Sequence, residues 1–201
     1  MLLKINQQNP ETKKINQVVE ILNSGKIIVY PTDTIYGLGC DIFNKKAVTK
    51  IQQIKKREKN KPFSIICSDF KQIADYAIIP DYAFKIMKKV LPGPYTFIFK
   101  AKNRAPKTVL SKNKTIGIRM PDNNICLEIV KNLEHPIIST SLNISGENVL
   151  TNPNQLSKEM RNKIDIIIDA GTLSPNPSTI IDFSQETAEV LRQGQGDISF
   201  L

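Results

Sequence analysis

Between residues 11 and 24 the apolar positions Ile15, Val18, Val19 and Leu22 recur at the three-and-four spacing of one helical stripe, with Asn9-Pro10 as a start signal and Gly25 as a stop. The pattern then changes. "KIIVY" (26–30) predicts a strand, and beyond the turn "PTDTIYG" (31–37) "LGCDI" (38–42) predicts another. Helical spacing returns at Asn44, with Ala47, Val48, Ile51 and Ile54 facing inward, and it ends in the cationic run "KKREKNK" (55–61). "PFSIIC" (62–67) predicts a buried strand, residues 81–90 a helix halted by Leu91-Pro92-Gly93-Pro94, and "YTFIFKA" (95–101) an alternating strand. "TIGIRMP" (115–121) predicts a strand running into proline, and "PIISTS" (136–141) a strand between helices at 123–133 and 153–162. "DIIIDAG" (165–171), "STIIDF" (178–183) and "EVLRQG" (189–194) predict three late strands. Strand-helix alternation mixed with adjacent strands predicts an α/β fold, a twisted mixed β-sheet flanked by helices. No repeat, linker or low-complexity stretch divides the chain, so residues 1–201 are expected to form a single domain.

Composition narrows the function classes. With 201 residues, 40% of them hydrophobic, the chain can bury one good-sized core. Its net charge of +9 favours anionic partners such as nucleotide phosphates or RNA. Lysine, asparagine and isoleucine are abundant together, as coding bias produces at tolerant surface positions, which makes arginine the cleaner witness. Only Arg57, Arg104, Arg119, Arg161 and Arg192 occur, and a planar, multiply donating fork is hard to replace. The three cysteines, Cys40, Cys67 and Cys126, are far apart in apolar contexts, which argues against a disulfide framework or a Cys-x-x-Cys metal site. The single His135 has no neighbouring acid or serine, so histidine triads are poor candidates. No apolar run approaches the ~18 residues of a membrane span, and no secretory leader pattern opens the chain; a cytoplasmic location without membrane contact is expected.

Polar residues gather at strand ends and the turns after them, where open α/β sheets collect ligand groups. They fall in PTDTIYG, KKREKNKP, TIGIRMP, "STSLNISG" (139–146) and "PSTIIDF" with "VLRQG" (177–194). Neither a Walker loop nor a G-x-G-x-x-G fingerprint is present, so a nucleotide site would have to be built from side chains.

Together these stretches resemble the threonylcarbamoyl-AMP synthase family of the YrdC type. The resemblance runs from about residue 12 to residue 194 and rests on PTDTIYGLG, Lys-x-Arg at Lys55 and Arg57, IGIRMP, Ser-x-Asn at Ser141 and Asn143, STIID and VLRQG. It implies a basic concave cleft and the conversion of L-threonine, bicarbonate and ATP to L-threonylcarbamoyl-AMP and pyrophosphate, with Mg2+ accompanying ATP. A separate transferase then uses the product to modify tRNA. The chemistry needs no protein nucleophile, and no protein ligand for the metal is identified.

Residue by residue, the resemblance implies that Lys55, Arg57 and Lys61 grip the triphosphate. Ser141 and Asn143 bond nucleotide phosphate or ribose, with Thr115 and Arg192 completing that side. Thr34, Arg119, Ser139 and Ser178 surround threonine, Arg119 as a bidentate partner for its carboxylate. Thr32 and Tyr36 shape the pocket. Lys61 stands where some relatives have Asn, the FSIIC strand lacks a histidine that some carry at the position of Ile66, and Val149 replaces a serine. The length, INQVVEIL and PGPYTFIFKA are similar to a YciO-type branch, whose members tend to lose Lys-x-Arg and Ser-x-Asn; both are kept here. The alternative is a non-catalytic binder of double-stranded RNA or tRNA.

Overall fold

The computed structural model describes residues 1–56, 62–143 and 149–201. The elements in chain order are β1 (Leu2–Lys4), α1 (Thr12–Asn23), β2 (Ile28–Tyr30), β3 (Gly37–Gly39), α2 (Lys45–Ile54), β4 (Ser64–Ile66), α3 (Phe70–Tyr76) and β5 (Ala77–Ile78). They continue with α4 (Asp81–Val90), β6 (Tyr95–Ala101), β7 (Thr115–Arg119), α5 (Asn124–Leu133), β8 (Ile137–Ser141), α6 (Lys158–Arg161), β9 (Ile166–Asp169), β10 (Thr179–Asp182) and β11 (Glu189–Arg192). The strands form one mixed sheet in the order β1-β9-β2-β3-β8-β4-β7-β6-β10-β11, with β5 on the side of β6. The α/β expectation with a central mixed sheet is met.

Several helices begin where a side chain satisfies the first free backbone N–H groups. Asn44 accepts from Ala47 N ahead of α2, and Asn123 from Cys126 N ahead of α5. β1, α3 and β5 escape the sequence pattern, and the helix expected over 153–162 is two pieces. A 3-10 turn at Pro153–Gln155 is followed by an extended Leu156, and Ser157 caps a new start for α6.

Alternation along the strands sorts side chains into two layers. Val29, Leu38, Ile65, Ile116, Ile118, Phe97, Phe99 and Ile138 pack against α2, α3 and α4. On the opposite face Ile28, Tyr30, Ile66, Ile137, Ile166 and Ile168 meet the α1 stripe and Ile125, Cys126, Ile129 and Val130 of α5. Each fully buried aliphatic side chain contributes about 1.5–3 kcal/mol. Gly39 makes the second face possible, since a Cβ there would lie 2.7 Å from the Tyr30 ring and 2.5 Å from Ile138 O. Among the described residues, α1 and α5 are the helices on this second face. The same face across β4, β7, β6 and β10 is therefore left open, and its strand residues are not aliphatic throughout.

Candidate functional site

That open face carries a cavity of about 330 Å³, lined by residues of β4, β6, β7, β8, β10 and β11. Register explains which side chains meet there. Ser64 pairs with Gly117 on one side and with Ser139 on the other, while Ile180 lies beside Thr96 and Arg192. Because strand residues alternate, Ser64 and Ser139 share a face with Ile66 and Ile137. The hydroxyls begin where the helical cover ends.

Among the described residues two arginines face this cavity, and their surroundings differ. Arg119 closes β7, where its Nη2 donates to Asp33 Oδ1 at 2.9 Å and to Thr34 Oγ1 at 3.0 Å. Both ion-pair side chains are 8% exposed. Asp33 Oδ2 accepts from Asp122 N at 3.1 Å, and the Asp33 carbonyl accepts from Gln195 Nε2 at 3.3 Å. Burial pushes the Asp33 carboxyl up, and the Arg119 charge opposes that shift. Arg192 stands on the exposed strand β11; its Nε and Nη2 donate to Ser178 O at 3.1 and 2.7 Å. Desolvation and then Arg119 draw the Arg192 pKa down. Among the described residues it has no ion-pair partner.

The turn after β11 fits tightly against the strand before it. Gly194 N donates to Thr179 Oγ1, and a Cβ at Gly194 would fall 2.2 Å from Pro177 O. Only a glycine lets RQG lie close enough for Arg192 to reach Ser178, whose hydroxyl is 2.9 Å from that of Thr96. Lys55, just past α2, is 2% exposed. Its ammonium donates to Ser141 O and Asn143 Oδ1, both at 2.6 Å, and to Ser141 Oγ at 3.2 Å.

Of the residues singled out in the sequence, Arg119, Ser139, Ser141, Asn143, Ser178 and Arg192 line the cavity. Thr34 stands immediately behind, on Arg119. Arg57 and Lys61 lie outside the described residues. Four others stand outside the lining. Lys55 is packed behind Ser141 and Asn143 rather than in the lining, because its stem spans from α2 to the end of β8. Thr115 shares a face with Arg119 but sits four residues, roughly 13 Å, back along β7, with its hydroxyl 2.7 Å from Ser111 Oγ. Tyr36 points into the core of the covered face, where its hydroxyl donates to Gly171 O and accepts from Ala170 N. Thr32 is also outside the lining; its hydroxyl donates to Ile35 O at 2.7 Å and lies 3.0 Å from Thr34 Oγ1, so it holds the turn. The bidentate clamp expected of Arg119 is restricted as well. Both hydrogens of Nη2 are engaged, and Nε is buried without a partner among the described residues, which leaves Nη1 for a ligand.

Sequence reasoning missed Asp33, Ser64 and Thr96. Ser64 carried a usable signal, a lone hydroxyl in an otherwise apolar strand, and Thr96 a weaker one, beside Tyr95 in a strand that ends on Lys100 and Ala101. Asp33 carried less: an aspartate in a Pro-Thr-Asp-Thr turn reads as bonding its own backbone.

A family model described as Telomere recombination, the Sua5/YciO/YrdC domain, matches residues 20–194. The crystal structure of Escherichia coli YciO is similar at 37% identity with a TM-score of 0.94, covering 99% of this chain and 98% of that one. A putative threonylcarbamoyl-AMP synthase of Methanocaldococcus jannaschii is 40% identical over 96% of this chain and 92% of its own length. The crystal structure of Pyrococcus abyssi Sua5 complexed with L-threonine superposes with a TM-score of 0.89 at 30% identity, covering 96% of this chain and 57% of the longer one. As the matched span takes in every residue lining the cavity, the chain belongs to the Sua5/YciO/YrdC family.

Proposed function

We propose that this chain is an L-threonylcarbamoyladenylate synthase, which joins L-threonine, bicarbonate and the AMP moiety of ATP and releases pyrophosphate, supplying a tRNA-modifying transferase. The observation that carries this reading is one cavity that combines an ion-paired arginine, an arginine with no carboxylate partner among the described residues, and six serine or threonine residues with an asparagine. The chemistry asks for little more. The threonine amine adds to the bicarbonate carbon with loss of water, giving a carbamate. A carbamate oxygen attacks the α-phosphorus of ATP, and pyrophosphate leaves with the electron pair of the broken P–O bond. Both steps depend on orientation and on positive charge against developing phosphate charge, not on a side-chain nucleophile.

The residues divide by position. Arg192 carries the charge for the phosphates, with Ser141 and Asn143 as neutral partners fixed by Lys55. Arg119 Nη1, Ser139 and Ser178 receive the amino acid. With no carboxylate among the described lining residues, Mg2+ would enter on the phosphate oxygens of ATP and keep water in its shell. Purified protein with Mg2+, ATP and bicarbonate is expected to release pyrophosphate only when L-threonine is added. Absence of threonine-dependent release with Mg2+ or Mn2+ would retire the reading.

One observation favours a second reading. Residues 82–121 hold ten Lys and Arg and no Asp or Glu, so the other 161 residues, with eighteen cations against nineteen acids, carry a net −1. Lys100, Lys102, Arg104, Lys107, Lys112 and Lys114 of that stretch are all exposed around the β6–β7 connection. Such clustering suits phosphates of a structured RNA. That reading predicts tRNA binding that falls steeply with salt and that saturating ATP and threonine leave unchanged.

A further inference from the structure

Resting on the synthase reading, we propose that Asp33 is the positioning residue that sets which anion the Arg119 end of the cavity accepts. Asp33 does not line the cavity, whereas Arg119 does. The carboxylate pairs with the guanidinium from outside the ligand space at 2.9 Å, at a site where both side chains are 8% exposed. Two further contacts hold Asp33 there, Asp122 N on Oδ2 and Gln195 Nε2 on the Asp33 carbonyl, and Thr34 Oγ1 accepts from the same Nη2 of Arg119.

This arrangement has an electrostatic result. The two arginines share one cavity, but one is neutralised by a buried carboxylate and the other bonds only neutral Ser178 atoms among the described residues. A phosphate carrying about two charges gains from the uncompensated Arg192 and finds a net charge near zero at the Arg119–Asp33 pair. A zwitterionic amino acid, itself net neutral, loses nothing at that pair and still has Nη1 as a donor for its carboxylate. Phosphate is thereby favoured at Arg192 and the amino-acid carboxylate at Arg119. Without Asp33, both arginines would attract phosphate, and it would occupy the amino-acid end.

The test is Asp33→Asn in the full chain, with inorganic phosphate as the probe. In the wild type, phosphate is expected to inhibit pyrophosphate release competitively against ATP and not against threonine. In Asp33→Asn it becomes competitive against threonine as well, and the ratio of threonine affinity to phosphate affinity, measured by calorimetry, falls about tenfold. The KM for ATP stays within about twofold. A purely structural role for Asp33 would lower activity without changing the inhibition pattern. An unchanged pattern in a folded Asp33→Asn overturns the proposal. So does wild-type protein in which phosphate displaces threonine as readily as it displaces ATP, an outcome that needs no variant to fold. If the wild type binds no threonine in calorimetry, the synthase reading itself fails. If it binds threonine and Asp33→Asn keeps the same preference, only the role of Asp33 is lost.

Discussion

Lys55→Met is expected to lower threonine-dependent pyrophosphate release by roughly 10- to 100-fold, because the ammonium stands behind the lining and acts by fixing Ser141 and Asn143. It is also expected to reduce stability by about 1.5–3 kcal/mol, because charge-assisted hydrogen bonds to Ser141 O and Asn143 Oδ1 are lost while each acceptor keeps a neutral donor, Asn143 N and Ser141 Oγ. Methionine keeps the length of the stem, so the change removes the ammonium and little packing. The ammonium is 2.6 Å from both Ser141 O and Asn143 Oδ1, and Ser141 Oγ donates to the same Asn143 oxygen at 2.6 Å. The end of β8 and the end of α2 are therefore tied through one charged group. Without it, the bonds that tie Ser141 and Asn143 to the end of α2 are lost. The loss should appear as a raised KM for ATP and a lowered kcat, with threonine affinity by calorimetry nearly unchanged, since Arg119 and Ser178 are held by other contacts. In urea the midpoint should fall at constant slope. Wild-type turnover in Lys55→Met would show that Ser141 and Asn143 play no part in the reaction.

What the sequence reveals depends on how far apart the interacting residues are. α2 is legible because Ala47, Val48, Ile51 and Ile54 repeat within ten residues and Asn44 caps them. β1 is three residues long and becomes a strand by pairing Leu2 with Ile167, a partner no local pattern can name. The region 153–162 reads as one helix by composition, yet Leu156 adopts an extended ψ of 128° between two separate caps at Asn152 and Ser157. α3 has only Ile73 and Tyr76 as buried positions, too few to set a period. The site follows the same rule. Its hydroxyls and arginines were visible as motifs, but which of them meet depends on register: Ser64 beside Ser139, and Ile180 beside Arg192. The Asp33–Arg119 pair joins positions 86 apart and leaves no periodic trace. The reach of Lys55 from behind the lining was equally invisible, because a lysine between an apolar helix and a run of cations reads as solvated.

Arg119→Ala is expected to abolish threonine-dependent turnover and to cost about 3–5 kcal/mol of stability, because it leaves the Asp33 carboxylate buried without its counter-charge. Two explanations of such a loss can be separated. A cavity left by the missing side chain is indifferent to pH and to residue 33. An uncompensated carboxylate is sensitive to both. In the wild type burial already raises the Asp33 pKa against the pull of Arg119, so removing the arginine raises it further. The folded variant then binds a proton that the unfolded chain releases at its ordinary carboxylate value. Its stability falls as pH rises through that interval and recovers as pH is lowered into it. Asp33→Asn added to Arg119→Ala removes the charge, so the double variant should regain most of the lost stability and lose the pH dependence, giving a coupling energy above the ~0.5 kcal/mol of independent sites. Turnover should stay absent, because Nη1 is gone from the cavity. Equal urea midpoints for the single and double variants across that pH range would mean that the 2.9 Å ion pair contributes nothing to the fold, and the neutralisation of Arg119 by Asp33 would lose its physical basis.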